Sequence, residues 1–257
     1  MTSLKNKVVF ITGASAGIGA AAANAFACEG AKLLLAARRR EKLQAMQETL
    51  LRAGAAAVHT FELDVRNRSA VEQSLASLPQ EWKLIDVLIN NAGLSRGLDK
   101  LQEGNPNDWD VMIDTNVKGL LYVTRAVVPG MVERQSGHII NLGSTAGELA
   151  YPGGNVYCGT KAAERLITDG LRIDLLGTPL RVTSIDPGAV ETEFSLVRFA
   201  GDEARAAKVY QGVTPLAPED IARTMVWVAT QPPHVNISRV LITPTDQANS
   251  LVMHRRS

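Results

Sequence analysis

Short, continuous apolar runs alternate along this chain with stretches whose apolar residues recur every three or four positions. Residues 7–12, Lys-Val-Val-Phe-Ile-Thr, form the first run, followed by a glycine-rich turn and an Ala-rich helical segment to about Gly30. Residues 32–36, 58–63, 85–89, 138–142, 181–185 and 240–242 repeat the pattern and are predicted strands. Helices are predicted over 40–53, where Leu43, Met46, Leu50 and Leu51 keep helical spacing, and over 69–78, which Pro79 stops. Residues 107–134, 155–176 and 218–230 are predicted helices too, the first kinked or ended at Pro129 and Gly130.

The strand-like runs are apolar throughout and do not alternate, so both faces of each strand are covered. That is the pattern of a parallel sheet between two layers of helices. The expected fold class is α/β: a single doubly wound Rossmann-type domain over residues 1–257, with a mostly parallel sheet of about seven strands and helices on both faces. Residues 190–214 show no clear periodicity, and a segment of that length reads as a substrate lid.

Composition narrows the class without choosing a chemistry. A chain of 257 residues suits one domain of this kind. A net charge of +1 argues against a nucleic-acid partner or a membrane surface. No apolar run approaches the ~18 residues of a membrane span, and the polar and basic start leads straight into the first strand without signal-peptide features. Cys28 and Cys158 are too few for a disulfide framework and read as packing thiols, so a cytoplasmic setting is expected. No metal is expected.

Candidate chemistry begins at Thr12-Gly13-Ala14-Ser15-Ala16-Gly17-Ile18-Gly19, between the first strand and the first helix. Gly13 permits a tight turn, while Gly17 and Gly19 let backbone and helix approach a pyrophosphate, where helix N-terminal N–H groups favour negative charge. The second strand ends in Arg38-Arg39, where an NAD site usually carries an acid. Two arginines with Ser15 suit the 2′-phosphate of NADP instead. Charge-assisted hydrogen bonds of ~1.5–3 kcal/mol each give a preference of roughly ten- to a few thousand-fold. NADP is therefore the expected cofactor.

Tyr157 and Lys161 stand four apart on a predicted helix, on one face. A tyrosine that exchanges protons near neutrality must ionise ~3 units below its usual ~10, which requires ~4 kcal/mol. An ammonium ~4 Å away supplies about that at an effective dielectric near 20. The spacing alone is weak support. It gains weight from Ser144, which follows the fifth strand, and from Asn90-Asn91-Ala92-Gly93 and Pro187-Gly188 after the fourth and sixth. Carboxyl ends of strands are where open α/β sheets bind ligands.

With these motifs in this order, the chain resembles the short-chain dehydrogenase/reductase family from end to end. The resemblance implies four catalytic residues: Tyr157 exchanges a proton with the substrate oxygen, Ser144 orients that oxygen, Lys161 binds the nicotinamide ribose and assists Tyr157, and Asn116 holds a relay water. It implies a cofactor site of Gly13, Ser15, Gly17, Ile18 and Gly19 with Arg38 and Arg39. Asp64 and Val65 are implied at the adenine, and Asn91, Pro187, Gly188, Val190 and Thr192 beside Tyr157 and Lys161. It also implies a homotetramer paired partly through the helices near 107–132 and 155–176.

Residues 76–82, 128–134, 143–147, 153–157 and 192–199 resemble the NADP-dependent 3-hydroxy acid dehydrogenase branch, which includes serine and allo-threonine dehydrogenases. Relatives there reduce malonic semialdehyde or sulfoacetaldehyde. The match lapses at Glu148-Leu149-Ala150 and in the C-terminal tail. The substrates implied are small anions, which need a cation in the pocket. Arg198 in the expected lid is the first candidate, and Arg255 and Arg256, expected to be solvent-exposed, the second. Two alternatives stand beside the 3-hydroxy acid reading. One is a broad carbonyl reductase or a sugar or polyol dehydrogenase. The other, a non-catalytic NADP sensor, is disfavoured because Asn116, Ser144, Tyr157 and Lys161 are all present.

Overall fold

Every apolar run becomes a strand because the layers on both sides of it are apolar. The computed structural model describes residues 2–256. Among them β1 (Val8–Thr12), β2 (Lys32–Ala37), β3 (Ala57–Glu62), β4 (Ile85–Asn90), β5 (His138–Leu142), β6 (Arg181–Pro187) and β7 (Arg239–Ile242) form one sheet. All neighbours are parallel, in the order β3-β2-β1-β4-β5-β6-β7.

The helices that matter for the core are α1 (Gly17–Cys28), α2 (Arg40–Ala53), α3 (Arg68–Ala76), α4 (Pro106–Ile113), α5 (Leu120–Glu133) and α6 (Asn155–Asp174). Two short ones, α7 (Phe194–Arg198) and α8 (Glu203–Lys208), precede α9 (Pro218–Ala229). Side chains alternate across a strand, so each strand serves two cores. Val9, Ile11, Leu33 and Leu35 pack with Phe26 of α1, Leu43 of α2 and Met225 of α9. Val8, Phe10, Leu34 and Ile139 pack on the other face with Val71 of α3 and Val127 of α5. Full burial of each Leu, Ile or Phe contributes roughly 1.5–3 kcal/mol. The alanines of α1, with Ala22, Ala23 and Ala27 buried, let it lie close against α9.

The chain winds outward from β1 to β3, then crosses to the other side to lay down β4. That reversal leaves a crevice outside the carboxyl ends of β1 and β4, where neither neighbouring crossover covers the sheet edge.

The expected break at Pro129 is not where the long helix is interrupted. Pro129 lies inside α5. Its ring removes one hydrogen bond, to the Arg125 carbonyl, and both residues are on the exposed face, where water can solvate that carbonyl. The interruption falls instead at Asp114–Gly119, a wide π turn between α4 and α5 that carries Asn116. Residues 190–214, expected to be irregular, hold α7 and α8. Helices of five and six residues are too short to show a repeat. No helix among the described residues is long and apolar enough to cross a membrane.

Candidate active site

The carboxyl ends of β1, β4, β5 and β6 open on one cleft of about 710 Å³, within the range of small-molecule sites. One end is the turn after β1. Gly13 and Gly17 have φ of 66° and 52°, the left-handed region where glycine is at ease. A Cβ on Gly19 would stand 2.5 Å from the Gly13 carbonyl oxygen, so α1 could not begin so close to the turn. No side chain caps α1. Its first N–H groups, beside Ser15 and Ile18, are therefore free for an anion.

Asn91 braces this turn from β4. Its Nδ2 donates to the carbonyls of Thr12 at 2.8 Å and Gly13 at 3.2 Å. The backbone N–H groups of Asn91 and Ala92 both donate to Thr12 Oγ1 at 3.1 Å. Asn91 lines the cleft, but its amide shapes the turn.

Arg38 and Arg39 edge the cleft where β2 ends. Arg38 enters no ion pair among the described residues. Arg39 is engaged: its Nε donates to Ser15 Oγ at 3.3 Å and its Nη1 to Glu193 Oε2 at 2.8 Å. Lys42 Nζ reaches the other oxygen of Glu193 at 3.0 Å. Those two cations hold the Glu193 carboxyl below its usual range. Asp64, beside Val65 at the end of the crevice, accepts from Arg66 Nε at 2.9 Å, and Arg66 likewise keeps its carboxyl low. Pro187, Gly188, Val190 and Thr192 line the opposite wall. The Thr192 side chain seats on Gly17, with 3.3 Å to the position a Cβ would take.

Ser144, Tyr157 and Lys161 all line this same cleft. Ser144 leaves β5 and its Oγ accepts from the Ala146 N–H at 3.1 Å. Tyr157 is 8 % exposed, its ring 5.6 Å from that of Phe194. Lys161 Nζ donates to the Leu142 carbonyl at 2.6 Å and to Glu164 Oε2 at 2.7 Å. Burial works against the Lys161 charge, but Glu164, Tyr157 and Asp186 together outweigh it and hold the ammonium up. Burial pushes the Glu164 carboxyl up to about 7, against the pull of Lys161.

Asn116 is not in the cleft wall. It stands behind it, where Oδ1 accepts from the Leu94 N–H at 2.9 Å and Nδ2 donates to the Leu94 carbonyl at 2.9 Å and to Thr160 Oγ1 at 3.0 Å. The π turn thereby joins the loop after β4 to α6.

Arg198 lines the same end as Tyr157. Its guanidinium carbon lies 5.2, 5.0 and 5.8 Å from the ring centres of Tyr157, Phe194 and Tyr151. Nη2 donates to the Tyr151 hydroxyl at 2.9 Å, while Nε is buried without a partner. Among the described residues Arg198 enters no ion pair. Arg255 and Arg256 are exposed, as expected, while also clasping the segment before α9, and Arg255 edges the cleft. Arg255 donates to the carbonyls of Gln211 at 2.6 Å and Val209 at 3.1 Å, and Arg256 binds Thr214 and Asp246.

Sequence reasoning did not find Tyr151, Phe194, Glu164 or Glu193, nor Gln247 and Met253 of the tail, which also line the cleft apart from Glu164. Glu164 at i+3 from Lys161 was the one with a readable signal. Glu193 and Phe194 adjoin Thr192 and Tyr151 lies six residues before Tyr157, but no spacing shows which of these side chains turn into the cleft.

Residues 7–201 match the family model for short chain dehydrogenases. The NADP-dependent 3-hydroxy acid dehydrogenase of Salmonella typhi is 52 % identical over 250 residues, covering 96 % of this chain and 99 % of that protein. A sulfoacetaldehyde reductase of Chromohalobacter salexigens is 46 % identical over 241 residues, covering 93 % and 94 %. Among solved structures, the closed form of serine dehydrogenase complexed with NADP+ superposes with a TM-score of 0.91 at 49 % identity, covering 97 % of this chain and all of that one. A glycine turn opening α1, a Tyr–Lys helix facing it across one crevice, and likeness over almost the whole chain agree: this chain belongs to the short-chain dehydrogenase family.

Proposed function

We propose that the chain is an NADP(H)-dependent oxidoreductase acting on a small 3-hydroxy acid or its semialdehyde, of the serine, 3-hydroxypropionate or sulfoacetaldehyde type. The observation that carries the substrate class is Arg198. A guanidinium against the Tyr157 ring, without an ion-pair partner among the described residues, suits a carboxylate or sulfonate two or three bonds from the reacting carbon. The relatives that act on such anions support the same reading.

The cleft suits the cofactor on its own chemistry. The uncapped start of α1 and the positive-φ glycines fit a pyrophosphate. Arg38, Arg39 and Ser15 fit a 2′-phosphate, and Asp64 and Val65 border the adenine. Pro187, Gly188, Val190 and Thr192 fit the nicotinamide end. When bound, the nicotinamide supplies or accepts the hydride. The Tyr157 hydroxyl gives a proton to the substrate oxygen in reduction, and its phenolate takes that proton back in oxidation. Ser144 donates a hydrogen bond to that oxygen, and Lys161 binds the ribose and supports charge on Tyr157. Asn116 holds the loop after β4 on α6 and carries the water of the relay. Residues 190–214 act as the lid, shutting out solvent over substrate and cofactor.

The chain works as a homotetramer in the cytoplasm on this reading. Leu166, Ile173 and Leu176 on and just after α6 are 64, 72 and 86 % exposed, an apolar face that suits a subunit contact. Sedimentation velocity would report the assembly.

A substrate panel tests the function. Serine, 3-hydroxyisobutyrate, 3-hydroxypropionate, their semialdehydes, sulfoacetaldehyde and neutral aldehydes are assayed with NADPH or NADP+ and with NADH or NAD+ at matched concentrations. The reading predicts the highest kcat/KM for an anionic substrate with the phosphorylated cofactor. Equal kcat/KM for neutral aldehydes or polyols would favour a broad carbonyl reductase or polyol dehydrogenase instead.

A further inference from the structure

Glu164 is a buried carboxylate beside the reaction centre that the mechanism above does not use. It is 2 % exposed, one helical turn beyond Lys161 and two beyond Tyr157. Its Oε2 accepts from Lys161 Nζ at 2.7 Å, and its Oε1 is buried without a hydrogen-bond partner. No other described residue bonds this carboxylate.

Lys161 has three N–H donors. Two are committed to acceptors of the protein itself, the Leu142 carbonyl at 2.6 Å and Glu164. One remains for the cleft that Lys161 lines. Glu164 and Leu142 therefore act as two legs of a tripod that aims the third donor. A lone lysine on four rotatable bonds would be free to sample other rotamers.

The charge matters as well as the position. An ammonium that supports negative charge on Tyr157 does so less when a carboxylate neutralises it from behind. The other charged groups near this pair are otherwise engaged. Asp186 on β6 accepts from Ser184 Oγ at 2.5 Å and pairs with Arg239 of β7, which also pairs with Glu148. Arg198 of α7 faces the Tyr157 ring from the cleft side. Glu164 is thus the carboxylate whose charge is set directly against Lys161.

We propose that Glu164 is a positioning residue: its carboxylate aims Lys161 at the cofactor end of the cleft and competes with Tyr157 for the ammonium charge, so that it sets the pH at which the tyrosine exchanges protons. The inference rests on the functional reading above. Seven residues along a helix is ~10 Å. At an effective dielectric near 20, a charge at that distance amounts to roughly one pH unit at Tyr157.

Two variants separate charge from position in the pH profile of kcat for alcohol oxidation. Glu164→Gln keeps an acceptor for Lys161 but removes the charge. The ascending, acid-side limb, where Tyr157 loses its proton, is expected to move roughly one unit toward acid, with KM for NADP+ within about twofold of wild type. Glu164→Asp keeps the charge but withdraws it by one methylene. The limb is expected to stay and KM for NADP+ to rise severalfold. An unmoved limb in Glu164→Gln, or an unchanged KM in Glu164→Asp, overturns the proposal. Either variant is informative if the other fails to fold. Tyr157→Phe keeps the outcomes distinguishable. If it retains turnover, the functional reading itself fails. If it is inactive while Glu164→Gln shows a wild-type profile, only the role of Glu164 fails.

Discussion

Arg39 at the carboxyl end of β2 and Glu193 at the head of α7 meet at 2.8 Å across the mouth of the cleft. Their contact ties the cation proposed for a cofactor phosphate to the segment proposed as the lid. Lys42 shares the same carboxylate at 3.0 Å. Glu193 thus stands where a 2′-phosphate would draw charge.

Removing that carboxylate should favour the phosphorylated cofactor. Both ion pairs are nearly half exposed, so each is weak, about 0.2–1 kcal/mol. Glu193→Gln is expected to lower KM for NADPH roughly two- to fivefold and leave KM for NADH unchanged. A rise in KM for NADPH would mean that the pair holds the lid over bound cofactor and does not compete with it.

Arg39→Ala should act in the opposite sense. Loss of one charge-assisted hydrogen bond to the phosphate, ~1.5–3 kcal/mol, weakens NADPH roughly ten- to a hundredfold. NADH, lacking the phosphate, should be affected little. Titration of both nucleotides by fluorescence quenching checks the difference. Arg38→Ala is expected to behave alike, since Arg38 has no ion-pair partner among the described residues to lose.

Arg198→Ala should raise KM for 3-hydroxy acids at least tenfold, the effect of one charge-assisted hydrogen bond. KM for neutral aldehydes should stay within about twofold. Arg198→Lys keeps the charge but loses the planar stack on Tyr157 and Phe194, and should recover part of the loss. Steady-state kinetics on both substrate classes decides. Equal KM changes for charged and neutral substrates would exclude anion binding by Arg198.

His138 gives the protein a weakness to acid. On β5 it is buried, Nε2 bonded to Thr183 Oγ1 at 2.8 Å and Nδ1 without a partner, and burial pushes it down to about 3. An unfolded histidine takes up its proton near 6.5. The neutral ring therefore contributes stability that is complete above pH 6.5 and lost progressively as pH falls toward 3. Burial raises Glu164, which contributes the opposite slope between about 4.5 and 7. The difference between wild type and His138→Val isolates the histidine. Tm of the wild type should fall more steeply between pH 6.5 and 4 than that of the variant. Parallel Tm–pH curves would contradict it.

The sheet was legible because its strands are continuous apolar runs, and every one lies within a residue or two of its expected limits. Tyr157 and Lys161 were legible because four residues of helix fix their common face. Pro129 misled because the cost of a proline depends on whether its orphaned carbonyl meets water. That depends on which face of α5 is covered. The short helices α7 and α8 left no repeat to read.

Local spacing and the need to bury apolar runs set the order of elements, the phosphate turn and the Tyr157–Lys161 face. Packing set what surrounds them. Arg198 stacks on Tyr157 because the chain after β6 folds back over the cleft, and Glu193 reaches Arg39 by the same path. Glu164 faces Lys161 in a space that neighbouring strands close to water, which is why a common i+3 pair becomes an electrostatically strong one. Burial and long-range approach are properties of the packed chain, and no local pattern encodes them.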